Sequence, residues 1–244
     1  MDNASFSSIR AAAKQILEKS QGKINIFIGN AGVMGMPKLE LSEDGQEKHF
    51  AVNHLSHFLL VHLLKDALLA SSSADFNSRV VLLSSSAHRM GRLLPSDDYL
   101  FQKSTYTSEV AYANSKLANV YTANFVERRY GGRGLHATSV HPGGILTNIG
   151  RHLDPEFVAA IVNNPVVAPT LKSAEQGAAT TVLAAVGKEW EGTGGKYLED
   201  CEEAKKGADD GSAFGKGYTS WTYDEGDEER LWGDSLKIVG VEDA

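Results

Sequence analysis

The stretch Lys23–Gly32, KINIFIGNAG, decides the fold: a run of β-branched and aromatic apolar residues that ends in a polar, glycine-containing turn. Its length and composition read as a buried strand over Ile24–Ile28, of the kind found in parallel sheets, where both faces are covered and alternation is lost. Two further runs end in the same manner. Arg79–His88, RVVLLSSSAH, is an apolar strand that stops in serines, and Leu135–Gly144, LHATSVHPGG, is a partly alternating strand stopped by Pro142 and two glycines.

Long helical patterns separate these strands. Ser42 is the expected N-cap of a helix through LSEDGQEKHFAVNHLSHFLLVHLLKDALL, with Glu43 and Asp44 in its first turn and Phe50, Leu55, Leu59 and Leu63 on its apolar face. Residues 108–130, SEVAYANSKLANVYTANFVERRY, form a second long helix ended by Gly131 and Gly132. Ahead of the first strand, residues 1–20 lack the apolar core of a signal peptide. They read as an amphipathic helix capped by Ser5, Ser7 or Ser8, with Ile9, Ala12, Ala13, Ile16 and Leu17 on one side. Residues 151–169 are loop-rich around a short helix at Pro155–Val162. A helix in KSAEQGAATTVLAAVG, a short strand in GGKYL, an irregular acidic tail over Glu199–Gly226 and a closing helix in DEERLWGDSLKIVG complete the chain. Strand and helix alternate with crossovers long enough for parallel pairing, so the class is α/β with a doubly wound, Rossmann-like, mostly parallel sheet. With neither an internal repeat nor a linker, a single domain over residues 1–244 is expected.

Composition narrows the function. With 42% hydrophobic and 23% charged residues the chain suits a soluble globular protein, and a net charge of −7 argues against nucleic acid or an anionic membrane surface as partner. The lone cysteine, Cys201, has no internal disulfide partner, and no apolar run reaches membrane-spanning length, so the expected address is cytoplasmic.

In open α/β sheets the ligand crevice lies at the carboxyl ends of the strands. The endings GNAG, SSSAH and HPGG therefore gather glycines and hydroxyls along one rim. Tyr112 and Lys116, four apart on the second long helix, share a face. Either they decorate its surface, or the ammonium lowers the phenol's pKa so that it passes a proton near neutral pH. His49, His54, His57 and His62 lack an accompanying cysteine or carboxylate cluster and read as packing or surface residues, not metal ligands. His88 is placed at the substrate entrance.

The motifs GNAG, VNHLSHF, RVVLLSSSAH, YANSK and HPGGILTN, in this order and spacing, resemble the short-chain dehydrogenase/reductase family over essentially the whole chain. Gly29 stands where the family usually shows a second asparagine. VNHLSHF, SSSAH followed by YANSK, and GKYLED are most similar to the branch of retinol-dehydrogenase-like and fungal secondary-metabolite reductases. The resemblance implies an NAD(P)-dependent oxidoreductase acting on a carbonyl–alcohol pair of a small lipophilic molecule. Tyr112 would be proton donor or acceptor, Lys116 would stabilise its phenolate and bond the nicotinamide ribose, and Ser85 would hydrogen-bond the substrate oxygen. Asn53 would complete a proton relay through water to Lys116. Asn30, Ala31 and Gly32 would lie against the adenosine ribose, and Pro142, Gly143, Ile145 and Thr147 would form the loop over the nicotinamide and its phosphates. Asp2 would contact the adenine edge, although Asn3 replaces the leucine that follows it in the family. NADP is favoured over NAD on the same ground. A homodimer through the two long helices is also implied.

Only 23 residues precede Ile24, and no glycine-rich phosphate-binding turn lies among them. By the resemblance the fold is N-terminally truncated, which turns Ile24–Ile28 into an exposed apolar edge. Two readings follow: a working reductase, or a catalytically inactive remnant that serves as an interaction protein.

Overall fold

Strand β2 (Ser78–Leu83) is buried along its whole length because its side chains alternate between two separate apolar clusters. Val80 and Leu82 enter one, with Ile9, Phe58, Leu59, Leu117 and Tyr121; Val81 and Leu83 enter the other, with Val140, Ala184, Ala185 and Trp190. A strand covered on both faces needs no polar side, and this explains its unbroken apolar sequence. The computed structural model describes residues 1–165 and 167–243.

Five strands form the main sheet in the order β1 (Ile26–Gly29), β2, β3 (Leu135–His141), β6 (Lys196–Glu199) and β7 (Glu202–Glu203). The first four are mutually parallel and β7 returns antiparallel to β6. A separate parallel pair, β4 (Gly144–Ile145) with β5 (Leu171–Lys172), extends beyond the β3 end. Helices α1 (Phe6–Ser20), α2 (Ser56–Ser71), α3 (Ser108–Tyr130) and α6 (Glu225–Val239) pack on the first cluster's face, and α5 (Ala174–Val186) lies on the other. Short α4 (Pro155–Asn163) buries none of its residues. The doubly wound parallel class read from the sequence is the one observed.

Helix starts follow local chemistry. The Ser5 hydroxyl accepts the Ser8 N–H, Thr107 caps α3, and Ser173 and Gln176 bond reciprocally at the start of α5. Two boundaries and one helix geometry differ from the sequence reading. Glu47, not Ser42, opens the helix that leads into α2: its carboxylate accepts the N–H groups of His49 (3.0 Å) and Phe50 (2.7 Å), while Ser42 closes a tight turn with Gln46. From Phe50 to Leu55 that helix is π-helical, one residue wider per turn. At the far end of α3, Gly131 is still helical at φ −55°, and the chain reverses at Gly134, whose φ of +82° suits a residue without a Cβ.

Strand β1 is shorter than expected and is not buried throughout. Among the described residues it pairs with β2 alone. Phe27 points into the first cluster, whereas Ile26 and Ile28 are 36% and 43% exposed. The expected apolar edge is present. The long helices are tied to α6 by aromatic contacts: Trp232 of α6 stacks on Phe125 of α3 at 4.3 Å and meets Phe58 of α2 edge-on at 4.9 Å. Among the described residues no helix is long and apolar enough to cross a membrane.

The acidic tail is irregular apart from β7, but it is anchored. Arg89, 1% exposed, spends all five of its N–H donors on it: on the carbonyls of Ala208, Ser212, Lys216 and Gly217 and on Asp210 Oδ1. A Cβ at Gly207 or Gly215 would run into the guanidinium, so the tail wraps it with bare backbone.

Candidate active site

The end of β2 delivers three serines with three different uses. The Ser84 hydroxyl donates to the Lys116 carbonyl at 2.9 Å, away from the rim. The Ser86 N–H donates to His141 Nδ1 at 3.3 Å. Ser85 opens the turn Ser86–Met90, accepting the Ala87 N–H at 3.2 Å, and its hydroxyl is close enough to the Tyr112 phenol to lower that group's pKa. One helical turn beyond Tyr112, the Lys116 Nζ donates to the Leu83 carbonyl at 3.1 Å and lies 5.6 Å from the centroid of the Tyr112 ring. Ser85, Tyr112 and Lys116 are thus brought together at the strand rim.

The electrostatics differ from the sequence expectation. Burial pushes the Tyr112 phenol up to about 12 against the opposing pull of the Ser85 hydroxyl, and burial lowers the Lys116 ammonium to about 8. The lysine does not by itself bring the phenol toward neutrality; loss of water around both groups outweighs it. With a value near 8, Lys116 is still mostly protonated at pH 7.

Asn53 holds the loop after β1. Its amide clasps the Val33 peptide from both ends, Oδ1 accepting the N–H at 2.7 Å and Nδ2 donating to the carbonyl at 3.0 Å, and Nδ2 also donates to Ser115 Oγ. Its backbone carbonyl, within the π-helical turn, accepts from Asn119 Nδ2 and from His57 Nδ1, each at 2.9 Å. A carbonyl oxygen has two lone pairs and both are filled by protein. Asn53 is therefore a clamp between the π turn and the loop after β1.

That loop carries Asn30 and Ala31 exposed at the β1 end, and then Gly32. A Cβ on Gly32 would lie 3.1 Å from Asn53 Oδ1 and 3.6 Å from Lys116 Nζ, so a bare backbone is what fits beside the ammonium. Pro142 and Gly143 follow β3 at the same rim; Gly143, at φ +98°, lies beneath the Lys172 side chain. Ile145 packs over Gly177 from β4, and Thr147 Oγ1 accepts the Ile149 N–H to start a short turn. Asp2 serves its own surroundings: its carboxylate accepts the Ala4 N–H at 2.8 Å and its N–H donates to Ser8 Oγ.

The histidines are structural in several ways. His88 does not face an entrance: it is fully buried, donates through Nδ1 to the Ser85 carbonyl at 2.7 Å, and tilts against the Tyr197 ring at 4.4 Å. Burial holds it down at about 4. Sequence reading assigned no role to His141, although it lies inside HPGG. It accepts from Ser86 and is lowered to about 4 by burial, with the Lys172 and Lys116 cations adding to the effect. His49, read as packing, lies edge-on to Tyr112 at 6.2 Å.

The short chain dehydrogenase family matches residues 1–96. A short-chain dehydrogenase/reductase of Penicillium roqueforti is 42% identical over 241 residues, covering 99% of this chain and 69% of that protein. The chain belongs to the short-chain dehydrogenase/reductase family. Human retinol dehydrogenase 13 is another similar member, 36% identical over 244 residues, covering 99% of this chain and 68% of that protein. Among solved structures, an uncharacterized protein from Mycobacterium paratuberculosis shares the fold with a TM-score of 0.69 at 24% identity, over 99% of this chain and 75% of that one. Membership in the short-chain dehydrogenase/reductase family makes this chain one of a family of oxidoreductases.

Proposed function

We propose that residues 1–244 act as one domain that interconverts a carbonyl and an alcohol on a small lipophilic molecule with a nicotinamide dinucleotide, NADP in preference to NAD. The juxtaposition of Ser85, Tyr112 and Lys116 at the strand rim carries this reading. Two features suit the cofactor. Gly32 leaves room beside Lys116 that a Cβ would fill, and the Lys116 ammonium gives one of its three N–H bonds to Leu83, with donors remaining for a ribose hydroxyl. When bound, the nicotinamide supplies or accepts hydride at its C4.

The chain's own residues handle the oxygen and the proton. Ser85 Oγ holds the substrate oxygen. Tyr112 Oη delivers its proton to that oxygen in reduction and removes it in oxidation, and the Lys116 ammonium stabilises the phenolate left behind. Exposed Leu146, Phe157 and Val162, on the segment that follows β3, support a lipophilic substrate. The proposal extends to a secondary metabolite as substrate and to a cytoplasmic setting. The test is a fluorescence titration of the 244-residue chain with NADPH and NADH, followed by turnover on a panel of ketones and aldehydes. Saturable binding with NADPH tighter is expected; no binding of either at millimolar concentration refutes the reading.

A further inference from the structure

Two buried side chains have no part in the chemistry proposed above, yet one of them touches Tyr112. Glu47 and His49 are 1% and 0% exposed at the start of the helix that leads into α2. The Glu47 carboxylate accepts the backbone N–H groups of His49 and Phe50 and, at 2.8 Å, the His49 Nδ1–H. A carboxylate that only accepts fixes the tautomer: Nδ1 carries the hydrogen and Nε2 presents a lone pair.

That lone pair faces the loop after β1. The Met36 N–H donates to His49 Nε2 over a long 3.5 Å, and the Met36 carbonyl accepts the Tyr106 hydroxyl at 2.9 Å. Three residues earlier the Val33 peptide is clasped by Asn53. The loop is thus held at two peptides, with Gly35 between them at φ +77°, where a Cβ would come within 2.8 Å of Leu153 Cδ2. The same imidazole also meets the Tyr112 ring edge-to-face, at a centroid distance of 6.2 Å and an interplanar angle of 72°.

We propose that Glu47 and His49 are positioning residues for proton transfer, in which one imidazole sets both the orientation of the Tyr112 ring and the Val33–Met36 wall beside it. This rests on the oxidoreductase reading. The two duties lie on different atoms, so two variants of the full chain separate them. His49→Gln can still donate to Glu47 and accept from Met36, but has no aromatic edge; His49→Phe keeps the edge and loses the acceptor.

The readouts are amide hydrogen exchange at Met36, with Val33 as internal reference, and the separate values of kcat, KM and NADPH affinity. In His49→Gln, Met36 protection and KM stay near those of the unsubstituted protein while kcat falls by about tenfold to 10²-fold, the effect of a slightly misplaced proton donor. In His49→Phe, Met36 exchanges about tenfold faster with Val33 unchanged, KM rises about threefold, and kcat falls less than in His49→Gln. NADPH affinity holds within about twofold in both. Unchanged Met36 exchange in His49→Phe, or a kcat in His49→Gln equal to that of the unsubstituted protein, overturns the proposal. So does a loss of kcat and affinity in parallel with melting temperature, the pattern of a merely structural residue. If His49→Phe fails to fold, the kcat of His49→Gln at preserved Met36 protection decides alone. An unsubstituted protein without nicotinamide binding refutes the oxidoreductase reading and any role in that reaction, while Met36 exchange still reports separately whether the clamp exists.

Discussion

Tyr112 performs its proposed task against its own burial. At about 12 the phenol holds its proton firmly, and the Ser85 hydroxyl is the contact that pulls the value down. Replacing Tyr112 with Phe is expected to cut turnover at least about 10²-fold while NADPH affinity stays within about twofold, as measured by steady-state kinetics and fluorescence titration. Retained turnover would remove the phenol from the mechanism. Lys116 gives a second prediction, on stability. Its value falls from 10.5 unfolded to about 8 folded, so between these pH values the unfolded chain binds more protons and folding is favoured as pH rises. The window lies above pH 8; below it both states are charged and the burial penalty is constant. Lys116→Met lacks this term, so its urea midpoint relative to the unsubstituted protein is expected to drop steadily between pH 8 and 10. A constant difference across that range would contradict the buried charge. At this scale the sequence was partly legible. Strand ends and helical spacing placed Tyr112, Lys116 and the serines at one rim, and the resemblance to the family singled out Ser85; the structure brings the three together. The bonds of Asn53 and His49 were not legible, because each reaches a loop 13 to 20 residues away in the chain.

Among the elements, the π-helical turn Phe50–Leu55 carries Asn53, whose carbonyl accepts from Asn119 and His57 and whose amide holds Val33. Asn53→Leu, close in volume but unable to bond, leaves the Val33 N–H and carbonyl unpaired. A loss of about 2–4 kcal/mol is expected in urea unfolding, together with faster amide exchange at Val33. An unchanged Val33 amide would show that the loop holds without the clamp. No periodicity announces such a turn: the apolar face of an ordinary helix and of this one look alike over six residues. Capping by Glu47 escaped for a related reason. Ser42 is the better cap by residue type, and Glu47 wins because the chain first folds back through the Leu41–Glu47 bridge. By contrast β2 and β3 were legible over nearly their whole length: Val80–Leu83 of β2 is a continuous apolar run covered on both faces, and β3 is a partly alternating run stopped by Pro142.

Across the molecule, the buried neutral histidines predict how it fails in acid. His54, His57 and His88 are lowered by burial from 6.5 to about 3, 4 and 4. As pH falls below 6.5 the unfolded chain takes up protons that the folded chain refuses, so stability is lost, at up to roughly 1.4 kcal/mol per pH unit for each histidine. The urea midpoint should therefore drop steeply between pH 6.5 and 4.5; a flat profile would mean that these rings titrate normally. The open side of the sheet predicts a second bulk property. Ile26 and Ile28 on β1 and Val182 and Val186 on α5 are exposed, and β1 offers unpaired backbone beside them. Ile28→Lys should lower concentration-dependent light scattering with the melting temperature little changed; unaltered scattering would clear the edge of blame.

The grip of Arg89 on the tail also bears on the order in which the molecule is made. Its partners lie 119 to 128 residues downstream, so the turn that carries Ser85 and His88 leaves the ribosome long before the carbonyls that anchor its neighbour exist. At about 5–20 residues per second the guanidinium waits roughly 6–25 s in water for them. During synthesis β1, β2 and β3 can pair before those carbonyls exist, and the turn that carries Ser85 gains this support only afterwards.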